Sequence, residues 1–174
     1  MKSKIIYKDK ESVLTDEFID IGYSAENFEA IDINGKTIEI TKTAGNRNIQ
    51  IFMSFPSFEE FKDEIVTFDE FMNGAVVDIT TYIIFNKKIE IPYKFKKTIP
   101  VFDTNDEFGD MYGTKLISGD LKNKLTKALF LIGKDGAIYH IDMPENLEKP
   151  FDNERIRAEL NKAYQTYTGV GCHG

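Results

Sequence analysis

The sequence predicts one α/β domain built on a mixed central sheet, flanked by helices and extended by a small N-terminal β-hairpin. Three observations carry this expectation. An apolar run at residues 49–53 stops at Pro56, an amphipathic stripe follows over 58–72, and a second β-type run begins at Ala75, which is a βαβ succession. A further apolar run at 128–132 turns back through Gly133-Lys134-Asp135-Gly136 as an antiparallel hairpin. The length, 174 residues, suits a single domain with a sizeable core.

In chain order, Ile5, Ile6 and Tyr7, a charged turn at 8–11, then Val13 and Leu14 read as the N-terminal hairpin. Residues 28–33 and 36–40 alternate on either side of Asn34-Gly35, a strong two-residue turn, and form a second hairpin. Residues 49–53 read as a buried central strand. Ser57 with Glu60 three positions on is a capping-box pattern that opens a helix at 58. Phe58, Phe61, Ile65, Phe68 and Met72 share one face of that helix, which Asn73-Gly74 ends. A parallel strand is expected over 75–80, a mixed region over 81–97 and extended chain over 98–102. Asp103 or Asn105 then caps a short helix that ends by Gly113. Asp152 caps a final helix with Ile156, Leu160, Ala163 and Tyr167 on its inner face. This order is the layout of a thioredoxin-like domain, expected over 1–167, with a flexible Gly-rich tail at 168–174.

Composition narrows function. Twenty-nine acidic against 22 basic residues give a net charge of −7, which opposes general binding to nucleic acid despite the basic Lys94–Lys97 stretch. No apolar stretch is long enough to span a membrane and no signal-peptide core follows the charged N-terminus, so a cytoplasmic protein without membrane partners is expected. The single cysteine, Cys172, rules out an intramolecular disulfide and any multi-cysteine metal site, and no metal or cofactor is expected. GxSxG, GxGxxG and GxxxxGK[ST] are all absent.

At Met53-Ser54-Phe55-Pro56-Ser57 the chain resembles bacterial thiol peroxidases, the atypical two-cysteine branch of the peroxiredoxins, in which a strand ends in an FPS segment before the catalytic helix. It is similar to them again at 22–28, at 106–113, at 118–122 followed by 128–139, and at Glu148-Lys149-Pro150-Phe151-Asp152. The resemblance covers about residues 1 to 165 and implies a thioredoxin-like fold, a homodimer and an antioxidant activity, hydroperoxide reduction. The sequence departs from the pattern where that chemistry resides. The family's peroxidatic cysteine falls on Asp63, its helper threonine on Glu60 and its arginine on Phe68. Carried forward without gaps, the resolving cysteine falls near Ile91 and a second arginine near Ile89. Peroxide reduction needs a thiolate of lowered pKa and cationic groups over the peroxide oxygens, and neither a carboxylate nor a phenyl ring supplies these.

The expected function is therefore a redoxin-like pseudoenzyme that binds an unknown protein or small molecule at the degenerate pocket around Pro56, Ser57, Glu60 and Asp63. The alternative is a thiol-dependent redox protein acting through Cys172 in the tail, with His173 as its neighbour. Asp63 has two readings, a mimic of a cysteine oxidised to the sulfinate and a solvated member of Lys62-Asp63-Glu64, and the weight falls on the second. Glu60 is expected as the partner of Ser57 rather than a general base. His140 is expected to be a structural histidine of the last hairpin, and residues 82–85 to form a loop with an apolar patch suited to a partner.

Overall fold

The computed structural model describes residues 3–16, 19–43, 48–75 and 78–171, and for 166–171 the backbone alone. The chain order is β1 (Lys4–Tyr7), β2 (Lys10–Val13), β3 (Phe28–Ile31), β4 (Thr37–Ile40), β5 (Ile49–Ser54) and α1 (Lys62–Asn73). There follow β6 (Ile79–Phe85), β7 (Ile99–Phe102), α2 (Glu107–Met111), β8 (Ala128–Ile132), β9 (Ile138–Asp142) and α3 (Asn153–Gly171). Strands β1 and β2 pair as a separate hairpin, and the other seven form one sheet in the order β4-β3-β7-β6-β5-β8-β9. The β5–β6 and β6–β7 pairs are parallel, while β3–β7, β5–β8 and the outer hairpins are antiparallel.

The apolar runs are continuous because both faces of the sheet are covered. Ile49, Ile51 and Met53 of β5 join Leu129 and Leu131 of β8 in a cluster with Phe68 and Met72 of α1 and Ile156 and Leu160 of α3. Phe52, Phe130 and Ile132 face the other way and meet Phe28 of β3 with Phe108 and Tyr112 at α2. Each such side chain taken fully out of water contributes about 1.5–3 kcal/mol. Gly35, at a φ of +82°, lies in the turn between β3 and β4, which is longer than the expected two-residue turn: the Asp32 N–H donates to the Lys36 carbonyl at 2.8 Å and residues 33–35 form the loop. Asp152 accepts the Arg155 N–H at 3.0 Å and caps α3 as the sequence implies.

Four further expectations are corrected. Helix α1 begins at Lys62 rather than 58, with Phe61 at its cap and no side-chain cap, so Ser57 and Glu60 do not form a capping box. Phe58 and Phe61 are buried all the same, in the turn that leads into the helix. The strand placed over 75–80 begins at Ile79 and runs to Phe85, residues 76–77 lying outside the described set. Residues 82–85 are consequently no exposed loop: Ile83, Ile84 and Phe85 are core and Tyr82 is half-buried, because β6 lies between β5 and β7. The α3 backbone stays helical through Gly171, past the expected start of a tail at 168, while Tyr167's side chain, Cys172 and His173 lie outside the described residues. Among the described residues no helix is long and apolar enough to cross a membrane.

Candidate functional site

Strand β5 runs into Phe55 and Pro56, both buried, and the chain then turns toward α1 at the carboxyl end of the parallel β5–β6 pair. In open α/β sheets this end is where ligands bind. The strand end is pinned by Ser54, whose Oγ donates to the Thr126 carbonyl at 2.7 Å. Phe55 lies tilted against Phe61 at 5.6 Å and edge-on to Phe151 at the same spacing, so the turn rests on an aromatic floor.

Beside that turn, with Phe61 in its lining, opens a cleft of about 510 Å³ between the β1–β2 turn, residues 59–64 and Leu147 with Glu148. The N-terminal hairpin forms one wall. Tyr7 packs on Phe61 at 5.3 Å and donates its hydroxyl to Glu60 Oε2 at 3.0 Å. Ser57 Oγ donates to the other oxygen of Glu60 at 3.2 Å, and Lys8 Nζ stands 3.8 Å from Oε2. Burial together with the Glu60 carboxylate pushes the Tyr7 phenol up to about 12, so it stays protonated at neutral pH and serves as a donor rather than a nucleophile. A smaller cleft of about 300 Å³ shares Tyr7, Lys8 and Glu60 and continues toward Lys10, Asp120 and Lys124.

The lining is acidic. Glu59, Glu60, Asp63, Glu64 and Glu148 face Lys8 and Lys62. Asp63 and Glu64 occupy the first turn of α1, where the helix dipole favours negative charge. Asp63 is exposed. Glu64 turns inward, accepting the Phe151 N–H at 2.9 Å and an ion pair from Lys127, whose ammonium is fully buried and also donates to the Lys149 carbonyl. Burial lowers the Lys127 pKa, and Glu64 opposes that shift.

The residues expected at the pocket separate into two groups. Glu60 and Asp63 line the cleft, Ser57 reaches it through its bond to Glu60, and Glu60 is held by Ser57 and Tyr7 rather than by the helix backbone. Phe68 points into the core, and Ile89 and Ile91 pack half-buried against it in the connection between β6 and β7, away from the cleft. Cys172 and His173 lie outside the described residues. Tyr7 and Lys127 were not anticipated. A lysine directly before the apolar run 128–132 was a visible signal for the second, since a cation there must be buried with a partner. Among the described residues no group of His, Cys, Asp and Glu is arranged to hold a metal ion.

No protein-family model matches the chain, and no curated protein is found similar to it in sequence. Solved structures do match. A peroxiredoxin-like protein from Aquifex aeolicus superposes with a TM-score of 0.78 at 15% identity, over 93% of this chain and 96% of that one. A thiol peroxidase from Chromobacterium violaceum gives 0.77 at 13% identity, over 93% and 98%. The mitochondrial 2-Cys peroxiredoxin from Plasmodium falciparum gives 0.65 at 15%, over 86% and 96%. The chain thus has the thioredoxin-like fold of peroxiredoxins and thiol peroxidases, with one cysteine in its whole length, at position 172.

Proposed function

We propose that this chain is a redoxin-fold binding protein that has lost peroxidase chemistry and holds a ligand in the cleft beside Ser57, Glu60 and Asp63. The observation that carries the reading is the charge and nucleophile content of the first turn of α1. Asp63 and Glu64 stand there, Glu60 and Glu148 line the same cleft, and the sequence has no cysteine before residue 172. A thiolate is stabilised by cationic neighbours, and carboxylates reverse that field. What the cleft retains is a set of fixed donors and acceptors, Tyr7, Ser57 and Glu60, with Phe61 in the lining, which suits recognition. A homodimer and a cytoplasmic location belong to the same proposal and rest on the resemblance to thiol peroxidases.

Stopped-flow oxidation of the reduced protein by hydrogen peroxide and by an organic hydroperoxide tests it, beside Cys172→Ser and with intact-mass analysis. Oxidation no faster than that of free cysteine is expected. Fast oxidation that disappears in Cys172→Ser would overturn the reading in favour of a relocated nucleophile. Light scattering on the same sample reads the assembly, and a species of 19.9 kDa would remove the dimer.

A further inference from the structure

The connection between β6 and β7, residues 86–98, concentrates positive charge on a chain that is otherwise acidic. It carries Lys87, Lys88, Lys94, Lys96 and Lys97 against one acid, Glu90, while the whole protein has a net charge of −7. Its side chains alternate. Ile89, Ile91, Tyr93 and Phe95 pack against the core, and Lys88, Glu90, Lys94 and Lys96 between and beside them face water, as do Lys87 and Lys97. The carboxyl-terminal end of the loop is fixed, because Asp69 of α1, fully buried, accepts the N–H groups of Lys96, Lys97 and Thr98 at 2.8, 3.0 and 2.9 Å and the Tyr93 hydroxyl at 2.7 Å. Lys96 makes one loose contact with Glu70 at 3.9 Å, and the other four lysines form no ion pair among the described residues.

We propose that this loop is a docking surface for an acidic protein segment, an extended stretch rich in Asp and Glu. Four ammonium groups that form no ion pair among the described residues, on a loop whose apolar side chains pack on the core and whose end is held by Asp69, form a binding surface that needs little ordering when a partner arrives. The chemistry selects carboxylates over nucleic acid. All five cations are lysines, so the guanidinium fork that grips phosphates bidentately is missing. Tyr93 and Phe95 lie edge-on to each other at 5.0 Å and pack half-buried on the core, so they do not stand out as a platform on which bases stack. The net negative charge repels a long polyanion, whereas a short acidic segment experiences mainly the patch within a Debye length of about 8–10 Å. The surface is separate from the cleft proposed above, so either reading stands without the other.

The test is fluorescence anisotropy of a labelled decaglutamate peptide titrated with the full chain at about 20 mM and about 150 mM salt. Saturable binding that weakens severalfold at the higher salt is expected. Lys94→Glu/Lys96→Glu/Lys97→Glu is expected to weaken it about tenfold or more. Lys4→Glu/Lys122→Glu/Lys162→Glu makes the same change in net charge on other elements and is expected to retain most of the affinity. Absence of binding, equal loss in the two triple variants, or tighter binding of a single-stranded oligonucleotide of matched charge would each overturn the proposal. Amide chemical-shift changes in the native protein give a readout independent of any variant's folding. They are expected at 86–98, and shifts centred elsewhere would also overturn it.

Discussion

Asp69 accepts four hydrogen bonds, and no part of its surface reaches water. Burial alone would raise its pKa, but the N–H groups of Lys96, Thr98 and Lys97 and the Tyr93 hydroxyl stabilise the ionised form more, and the carboxyl is held below its ordinary value. In return, hydrogen bonding to that carboxylate pushes the Tyr93 phenol up to about 12. Asp69→Asn sets an amide NH₂ against at least one backbone N–H, a group that can only donate, so it should destabilise the protein by about 2–4 kcal/mol, read from the urea midpoint. The sign of the pH dependence follows from the lowered pKa. The carboxylate's contribution is present above the unfolded value of 3.8 and is lost as pH falls through the lower folded value, so the gap between native and variant should narrow in acid. An equal gap at all pH values would show that the carboxyl titrates alike in the folded and the unfolded protein, its pKa not lowered by these bonds. The residue was legible in principle, since it lies four after Ile65 and three before Met72, on the buried stripe of α1. Its partners were not, being 24 to 29 positions away.

The elements of this fold show where local signals hold and where tertiary contacts override them. Ser57 and Glu60 have capping-box spacing, yet Glu60 meets Tyr7, 53 residues earlier, and the helix starts at Lys62. No local pattern reports so distant a donor. Strand β6 was misplaced for a different reason. Its residues 79–85 form the continuous β-branched and aromatic run of a strand buried on both faces, and periodicity alone does not separate such a run from an apolar loop. The β1–β2 hairpin was readable, but its turn geometry was not. Lys8 and Asp9 sit at φ of 51° and 63°, left-handed values that favour Asn-Gly in a two-residue turn. The strained turn places Lys8 beside Glu60 at the cleft, where its Nζ also lies 5.2 Å from the Tyr7 ring centroid. Lys8→Asn/Asp9→Gly should relieve the turn and stabilise the protein by about 1 kcal/mol in urea unfolding. Destabilisation instead would mean that the Lys8 contacts outweigh the backbone strain.

At the scale of the whole molecule the class of sheet was legible, because a βαβ unit makes a parallel pair and hairpins make antiparallel ones, whereas no local signal gave the order β4-β3-β7-β6-β5-β8-β9. What sequence conveys poorly is the charge balance between layers, which governs stability against pH. His140 on β9 is buried beneath α3, and its Nε2 has no hydrogen-bond partner among the described residues. Burial lowers its pKa. Glu159 opposes that shift, Arg155 of the same helix reinforces it, and Asp142 and Asp152 oppose it further. A base with a lowered folded pKa binds fewer protons native than unfolded, so its contribution to stability is complete above the unfolded value of 6.5 and is lost as pH falls below it. Asp103 acts in the opposite direction. Burial outweighs the N–H bonds from Gly109 and Phe108 and carries its pKa from 3.8 to about 6, so ionising it costs stability as pH rises through that range. The two groups partly cancel in the native protein, and a single melting curve against pH would hide both. Comparison with His140→Leu separates them, since Asp103 is common to both proteins. The variant's stability relative to the native protein should improve between about pH 7 and about pH 5, where the imidazole takes up its proton in the unfolded chain before it does so in the folded one. A constant difference over that range would show that the imidazole takes up its proton equally in the folded and the unfolded protein, so that burial does not lower its pKa.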